Sequence, residues 1–210
     1  MNLYETGNSN RSLILLLINS ENFTLIKNNF FILTGAMGAG KSTAIQKINE
    51  RGFFCIEEPA REILKEQRSI SGSGVPERNA WMFNQLMLSR MINQYKSNID
   101  KDYILIFDRG IPDITGYSEL LNTETESSSA ASEEFRYNKH VFLFKGWEEI
   151  YTNDDERKMS YALAESFGES IMRVYQRLGY STIDVPFMPA EERASFIIDS
   201  IERIMNGKYQ

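Results

Sequence analysis

The stretch "FILTGAMGAGKSTAIQKI", residues 31–48, runs from an apolar strand-like segment through three glycines into an amphipathic helical pattern. It contains the spacing G-x-x-x-x-G-K-[ST], which in a strand–loop–helix context predicts a phosphate-binding loop. Glycines let the backbone turn its N–H groups inward, and the N-terminus of the following helix adds positive potential. We therefore expect a nucleoside triphosphate, ATP or alternatively GTP, to bind here through Gly35, Ala36, Met37, Gly38, Ala39, Gly40, Lys41, Ser42 and Thr43.

Two side chains of this loop have separate expected tasks. Lys41 would reach the β and γ phosphates of the triphosphate. Ser42 would ligate Mg²⁺ through its hydroxyl group, because this small ion is usually held by few protein oxygens together with phosphates and waters. The alternative is a glycine-rich turn that binds no nucleotide, since short motifs also match by chance.

The composition indicates one ordinary globular domain and excludes several classes of partner. The chain has 210 residues, of which 42% are hydrophobic and 25% are charged. Its net charge of -6 argues against general nucleic-acid binding, which needs concentrated Lys and Arg. The single cysteine, Cys55, allows no internal disulfide and favours a reducing, cytoplasmic location. His140 has no second histidine and no nearby cysteine to build a zinc site with.

The first 29 residues precede the predicted nucleotide-binding domain, which spans residues 30–207. They contain an apolar run from Leu13 to Ile18 that is far too short to span a bilayer. We predict an added N-terminal strand or hairpin here, with a disordered N-terminus as the alternative. No membrane-spanning segment is expected.

Four further apolar runs follow the phosphate-binding loop, at residues 53–57, 103–107, 141–144 and 180–185. Short, almost wholly apolar strands separated by helical segments predict a parallel sheet that is covered on both faces. The predicted fold class is therefore α/β, a three-layer P-loop fold with a five-stranded, mainly parallel sheet. Helices are predicted over 41–51, 76–100, 156–178 and 190–205, and loops over 68–77 and 119–134.

The helix over 76–100 is the longest of these. An apolar stripe at helical spacing predicts which of its side chains face the core. The members of that stripe are Trp81, Leu88, Ile92, Tyr95 and Ile99.

Charged side chains stand where two of the strands end, and ligands of open parallel sheets bind beyond those ends. Asp108 follows the third strand, at the position where a carboxylate supports Mg²⁺ in P-loop proteins, so Ser42 and Asp108 are the expected metal ligands. Arg109 would stabilise the charge of the transferring phosphoryl group. The alternative for Asp108 and Arg109 is a buried structural ion pair.

Glu58 follows the second strand and precedes Pro59, which would begin the next helix and fix the direction of the carboxylate. A carboxylate near the γ phosphate can accept the proton of an attacking hydroxyl group, so Glu58 is the candidate base. Two alternatives remain. Glu57 could be the base, or both acidic residues could simply favour the helix N-terminus.

The segment "NDDERK", residues 153–158, adds Arg157 and Lys158 after the fourth strand. A segment of this kind could close over the triphosphate, and Arg157 would then neutralise charge on the transferring group. The alternative is a solvated run of charges.

Five motifs, taken in order, carry a family resemblance: "GAMGAGKST", "EEPAREIL", "FDRGIPD", "NDDERK" and "LGYSTIDVP". The chain resembles P-loop kinases of the nucleoside and nucleotide kinase group, and more closely the predicted AAA-type ATPases related to the ribosylnicotinamide kinase domain. The resemblance covers residues 30–205. It implies that Glu58 is the general base, that Asp108 and Arg109 form the acidic-Arg pair, and that Gln85 lines a nucleoside pocket.

Two functions remain open. The first is a kinase that transfers phosphate from ATP to a small hydroxylated acceptor, nucleoside-like or nucleotide-like, with the catalytic set Lys41, Glu58, Asp108, Arg109 and Arg157. The second is a nucleotide-regulated switch or binding protein with slow hydrolysis, in which occupancy orders the loops over 68–77 and 119–134. The acceptor and the oligomeric state do not follow from the sequence.

Overall fold

The computed structural model describes residues 17–19, 22–151 and 160–207. The strands in this part of the chain are β1 (Leu17–Asn19), β2 (Asn22–Ile26), β3 (Phe30–Gly35), β4 (Phe54–Ile56), β5 (Leu105–Asp108), β6 (Phe135–Arg136), β7 (His140–Phe144) and β8 (Ser181–Asp184). The helices are α1 (Lys41–Glu50), α2 (Ala60–Ser69), α3 (Pro76–Ser97), α4 (Ile111–Leu120), α5 (Glu126–Glu134), α6 (Tyr161–Arg177) and α7 (Ala190–Met205).

The central sheet has five strands in the order β4-β5-β3-β7-β8, and every neighbouring pair is parallel. β3 lies in the middle, and all of its residues are buried. This arrangement confirms the predicted three-layer α/β fold. The carboxyl ends of β4, β5, β3 and β7 therefore meet at the edge of the sheet where the phosphate-binding loop begins.

Helices cover both faces of the sheet because successive side chains of a strand point to opposite sides. Phe30 and Ile32 of β3 pack into one buried cluster with side chains of α3, α4 and α6. Phe31 and Leu33 pack into a second cluster with side chains of α1 and α7. The core is thus two apolar layers, one on each side of a sheet whose central strand, β3, is wholly buried.

The N-terminal strands form a second, smaller sheet in the order β1-β2-β6. β1 and β2 are an antiparallel hairpin, and β2 runs parallel to β6. The hydroxyl oxygen of Tyr95 on α3 lies 2.9 Å from the carbonyl oxygen of Leu25 and 2.8 Å from that of Arg136, so it links both strands to the core. Within the predicted extension over residues 1–29, residues 1–16 and 20–21 lie outside the described part of the chain.

The predicted loop over 119–134 is wrong for most of its length, because α4 reaches Leu120 and α5 covers Glu126–Glu134. The serines of α5 that face the core have their hydroxyl groups satisfied there. Thr115 donates to the hydroxyl of Ser128 at 2.9 Å, and Ser132 donates to the carbonyl of Ser128 at 2.7 Å. Buried hydroxyl groups are tolerated when they are hydrogen-bonded, which allows a Ser-rich segment to pack as a helix.

The predicted core position of Trp81 is also wrong, because 48% of this residue is exposed. Asn79 has a non-helical backbone that kinks α3 just before Trp81, and its side chain accepts a hydrogen bond from the N–H of Met82. The regular helical stripe therefore begins after Trp81. None of the helices in the described ranges combines the length and apolarity needed to cross a bilayer.

We expect Tyr95→Phe to lower the free energy of unfolding by about 1 kcal/mol, because the backbone of the small sheet loses a buried hydrogen-bond donor. Urea unfolding followed by circular dichroism measures this change. The control is Tyr103→Phe, which alters a more exposed ring and should change stability by less than about 0.5 kcal/mol. Equal effects of the two substitutions would contradict a bracing role for the Tyr95 hydroxyl.

Candidate functional site

The phosphate-binding loop leaves the sheet at Gly35, where no other residue fits. Gly35 has a φ of +126°, and a Cβ atom there would lie 2.1 Å from the carbonyl oxygen of Phe144 on β7. The N–H of Ala36 donates to that same oxygen at 2.9 Å. Only glycine combines this backbone angle with such a close approach between strands.

The loop then turns into α1 through two more glycines in the left-handed region, Gly38 with a φ of +73° and Gly40 with a φ of +80°. Helix α1 begins at Lys41, and no side chain in the described part of the chain caps it. The first N–H groups of a helix have no partner within the helix. At this end of α1 they can therefore bind an anion.

Lys41 and Asp108 form an ion pair between the loop and the end of β5. The Lys41 side chain is 7% exposed and that of Asp108 is 13% exposed. Burial, and then the charge of Asp108, raise the pKa of the nearby Cys55 thiol to about 11, so this thiol stays protonated at neutral pH. The ion pair thus holds the ammonium group of Lys41 against the carboxylate at the end of the neighbouring strand β5.

Arg109 is buried beside this pair and faces inward. Its backbone is left-handed, with a φ of +69°, which is uncommon outside glycine. Nε lies 3.0 Å from Glu58 Oε1, an ion pair without hydrogen-bond geometry. Nη1 donates to Asp113 Oδ1 at 2.9 Å and to the carbonyl of Gly35 at 3.1 Å. Burial opposes the charge of Arg109, but the carboxylates of Glu58, Asp113 and Asp108 outweigh it and raise its pKa.

Asp113 completes the inner side of the site as a fully buried carboxylate. Besides the bond from Arg109, it accepts hydrogen bonds from the hydroxyl of Thr34, from the N–H of Gly110 at 3.0 Å, and from the hydroxyl of Tyr175 at 2.6 Å. A carboxylate with this many donors is stable as a buried anion. Sequence reasoning missed the parts that Thr34 and Tyr175 play, because an isolated polar residue within an apolar stretch carries no local signal.

The structure brings most of the predicted catalytic residues to one end of the sheet. Glu58 reaches the cluster through Arg109, whereas Glu57 is exposed. Gln85 lies half-buried on α3. Arg157 falls within residues 152–159, outside the described residues.

The residues present are compatible with Mg²⁺. Ser42 is exposed on the first turn of α1, and the Asp108 carboxylate lies beside Lys41. Among the described residues, no group of three or more His, Cys, Asp or Glu side chains could hold a metal by itself. A divalent ion would therefore depend on phosphate oxygens and waters for its remaining ligands, which is how Mg²⁺ is usually bound.

Tyr151, which the sequence analysis did not single out, borders the loop, and a second such tyrosine, Tyr161, packs against it. A Cβ atom at Gly38 would lie 2.6 Å from a ring carbon of Tyr151, so this ring rests directly against the glycine. The rings of Tyr151 and Tyr161 are in edge-to-face contact, with centroids 5.5 Å apart. They stand on either side of residues 152–159 in the sequence. Aromatic residues are more often part of the core, so sequence reasoning gave them no role.

A family model described as an AAA domain matches residues 30–193. A nucleotide-binding protein from Myxococcus xanthus (strain DK1622) is 43% identical over 49 residues, which are 23% of this chain. The matched stretch is 17% of that protein, so the similarity concerns only a small part of it.

Two solved structures of deoxyadenosine kinase from M. mycoides have a similar fold. The first, with the products dCMP and a flexible dCDP bound, has a TM-score of 0.63 at 16% identity and covers 82% of this chain and 98% of that chain. The second, with bound dATP, has a TM-score of 0.60 at 14% identity and covers 82% of this chain and 99% of that chain.

We expect Arg109→Ala to lower the free energy of unfolding by about 3–5 kcal/mol without nucleotide, because it leaves the buried Asp113 carboxylate uncompensated. Urea unfolding measures the loss. The matched control is Arg90→Ala, which breaks exposed ion pairs of α3 with α2 and should cost at most about 1 kcal/mol. A cost for Arg109→Ala no larger than that of the control would mean that the network contributes little to stability.

Proposed function

Because the chain belongs to the AAA domain family, we propose that it is a Mg²⁺-dependent kinase that transfers the γ-phosphoryl group of ATP to a hydroxyl group of a small nucleoside-like acceptor. One observation carries this proposal. Glu58, the candidate base, is held by Arg109 next to the ion pair of Lys41 with Asp108, so base and phosphate-binding groups share one end of the sheet. The nucleoside-kinase fold of the chain supports the same reaction class.

In this proposal the loop binds the triphosphate and α1 directs its first N–H groups at it. Lys41 exchanges its contact with Asp108 for the β and γ phosphates. Ser42 and Asp108 would hold Mg²⁺, which would supply charge neutralisation of the phosphates. The ion pair of Lys41 with Asp108 thus keeps both groups near their proposed ligands before the nucleotide binds.

The transfer needs a base within reach of the acceptor. The acceptor oxygen attacks the γ phosphorus, the bond from that phosphorus to the β–γ bridging oxygen breaks, and the diphosphate leaves. Glu58 accepts the proton of the hydroxyl group. Arg109 is committed to Glu58, Asp113 and Gly35, which favours a role in orienting Glu58 over direct contact with the phosphoryl group. Arg157 remains the predicted source of further positive charge.

Lys41→Ala should weaken binding of Mg²⁺-ATP by about 10- to 100-fold, because charge-assisted hydrogen bonds contribute roughly 1.5–3 kcal/mol. Titration calorimetry measures the affinity. The matched control is Lys47→Ala on the same helix, whose side chain pairs with Glu50 in the last turn, at the opposite end of α1 from the loop. Unchanged affinity in Lys41→Ala would remove the phosphate-binding assignment.

The proposed reaction is tested by measuring consumption of ATP, and in parallel GTP, with and without pooled nucleosides and nucleotides. A kinase consumes triphosphate only when its acceptor is present. Slow consumption that no acceptor increases would instead favour a nucleotide-regulated switch protein.

In the same assay, Glu58→Gln should lower acceptor-dependent turnover by about 10²- to 10⁴-fold with ATP affinity retained, since the substitution removes the base but keeps the size of the side chain. The control is Glu57→Gln, which changes the exposed neighbour. Near-normal turnover in Glu58→Gln together with a large loss in Glu57→Gln would transfer the role of base to Glu57.

A further inference from the structure

Arg193 on α7 is a buried arginine that contacts the backbone of the phosphate-binding loop. The residue is 3% exposed, its Nη1 donates to the carbonyl of Ala39 at 2.6 Å, and its Nε donates to the carbonyl of Pro186 at 3.0 Å. The guanidinium carbon lies 4.5 Å from the ring centroid of Trp147 and 5.5 Å from that of Phe144. Three separate segments therefore converge on one guanidinium group.

Within the part of the chain that the structure describes, this guanidinium has no acidic counter-ion. Among the residues that the structure describes, no carboxylate lies within ion-pair distance of Arg193, and burial lowers its pKa. A buried charge without a partner is costly. Two carbonyl oxygens and two aromatic rings offset this cost. We therefore look for a role of the hydrogen bonds that the guanidinium donates to the two carbonyl groups.

The bond to Ala39 fixes the direction of one peptide group in the loop. A trans peptide is planar, and its C=O and N–H point in opposite directions. With the carbonyl of Ala39 held on the α7 side, the N–H of Gly40 must point to the other side, into the loop. The φ of +80° at Gly40 is compatible with this orientation only because the residue is glycine.

We propose that Arg193 is a positioning residue of the phosphate-binding loop, which orients the Gly40 N–H toward a phosphate by holding the Ala39 carbonyl. The inference rests on the triphosphate-binding step of the proposed function and requires no acceptor. Trp147 covers the guanidinium, and the rings of Trp147 and Phe187 stack with centroids 5.3 Å apart. The segments after β7 and β8 are thereby held to the same group as the loop.

The test measures binding of Mg²⁺-ATP and of Mg²⁺-tripolyphosphate, which has no base or sugar, by titration calorimetry well below the melting temperature of each variant. Arg193→Met should weaken binding of both ligands by at least about 10-fold, because a donor to a charged group loses its orientation. Arg193→Lys keeps the charge but offers no planar fork for two carbonyls, so its affinities should fall between those of the wild type and Arg193→Met.

The matched control is Arg51→Met. Arg51 also joins α1 to α7, through the carbonyl of Glu191 at 3.0 Å and the hydroxyl of Ser195 at 2.9 Å, but it lies at the far end of α1 from the loop. It should leave both affinities within about 2-fold of the wild type. Equal losses of affinity in Arg51→Met would overturn the proposal. Binding would then depend on the contact between α1 and α7 in general and not on the hydrogen bond to the Ala39 carbonyl.

The remaining outcomes also decide the question. Wild-type affinity for tripolyphosphate in Arg193→Met, or in Arg193→Lys should Arg193→Met fail to fold, overturns the proposal. Loss for ATP alone also overturns it, because the effect would then concern the base or sugar. A loss of affinity for both ligands supports the positioning role of Arg193 even if the wild type shows no acceptor-dependent turnover. In that case only the proposed kinase function fails. A wild type that binds neither ligand overturns both.

Discussion

The close approach of Gly35 to the carbonyl of Phe144 is the constraint on which the site depends. Because β3 lies between β5 and β7, its end is enclosed on both sides, and the chain can leave only by a turn without a side chain. That turn brings the loop and the start of α1 over the carboxyl end of β5. Lys41 meets Asp108 as a result, and the carbonyl of Gly35 becomes an acceptor for Arg109.

Most of the fold could be predicted because its signals are local. Each strand of the central sheet is a short apolar run, and α7 begins and ends where its helical pattern does. The N-terminal hairpin was expected, but its pairing with β6 could not be predicted, since β6 has only two residues and no periodicity of its own. Helix α5 was missed for a related reason, because a buried hydroxyl of its Ser-rich sequence is satisfied by a hydrogen bond from Thr115 on the preceding helix α4.

The candidate site was predictable as far as topology determines it. Parallel strands place the residues that follow them at one edge, so Glu58, Asp108 and Arg109 could be grouped from the sequence alone. The direction of each side chain could not be predicted. Arg109 faces inward because of its left-handed backbone, and Arg193 reaches the loop from a helix more than 150 residues later in the sequence. Neither contact has a signature in local spacing.

The cluster at the end of the sheet joins two cationic side chains, Lys41 and Arg109, to the three carboxylates of Glu58, Asp108 and Asp113. Before any ligand arrives, these groups already carry one more negative than positive charge. Coulomb attraction from this inner set therefore does not draw in a polyanion. The pull on a triphosphate has to come from the aligned peptide dipoles of the loop and α1, and from cations that arrive with the nucleotide, so occupancy should vary steeply with the divalent-ion concentration.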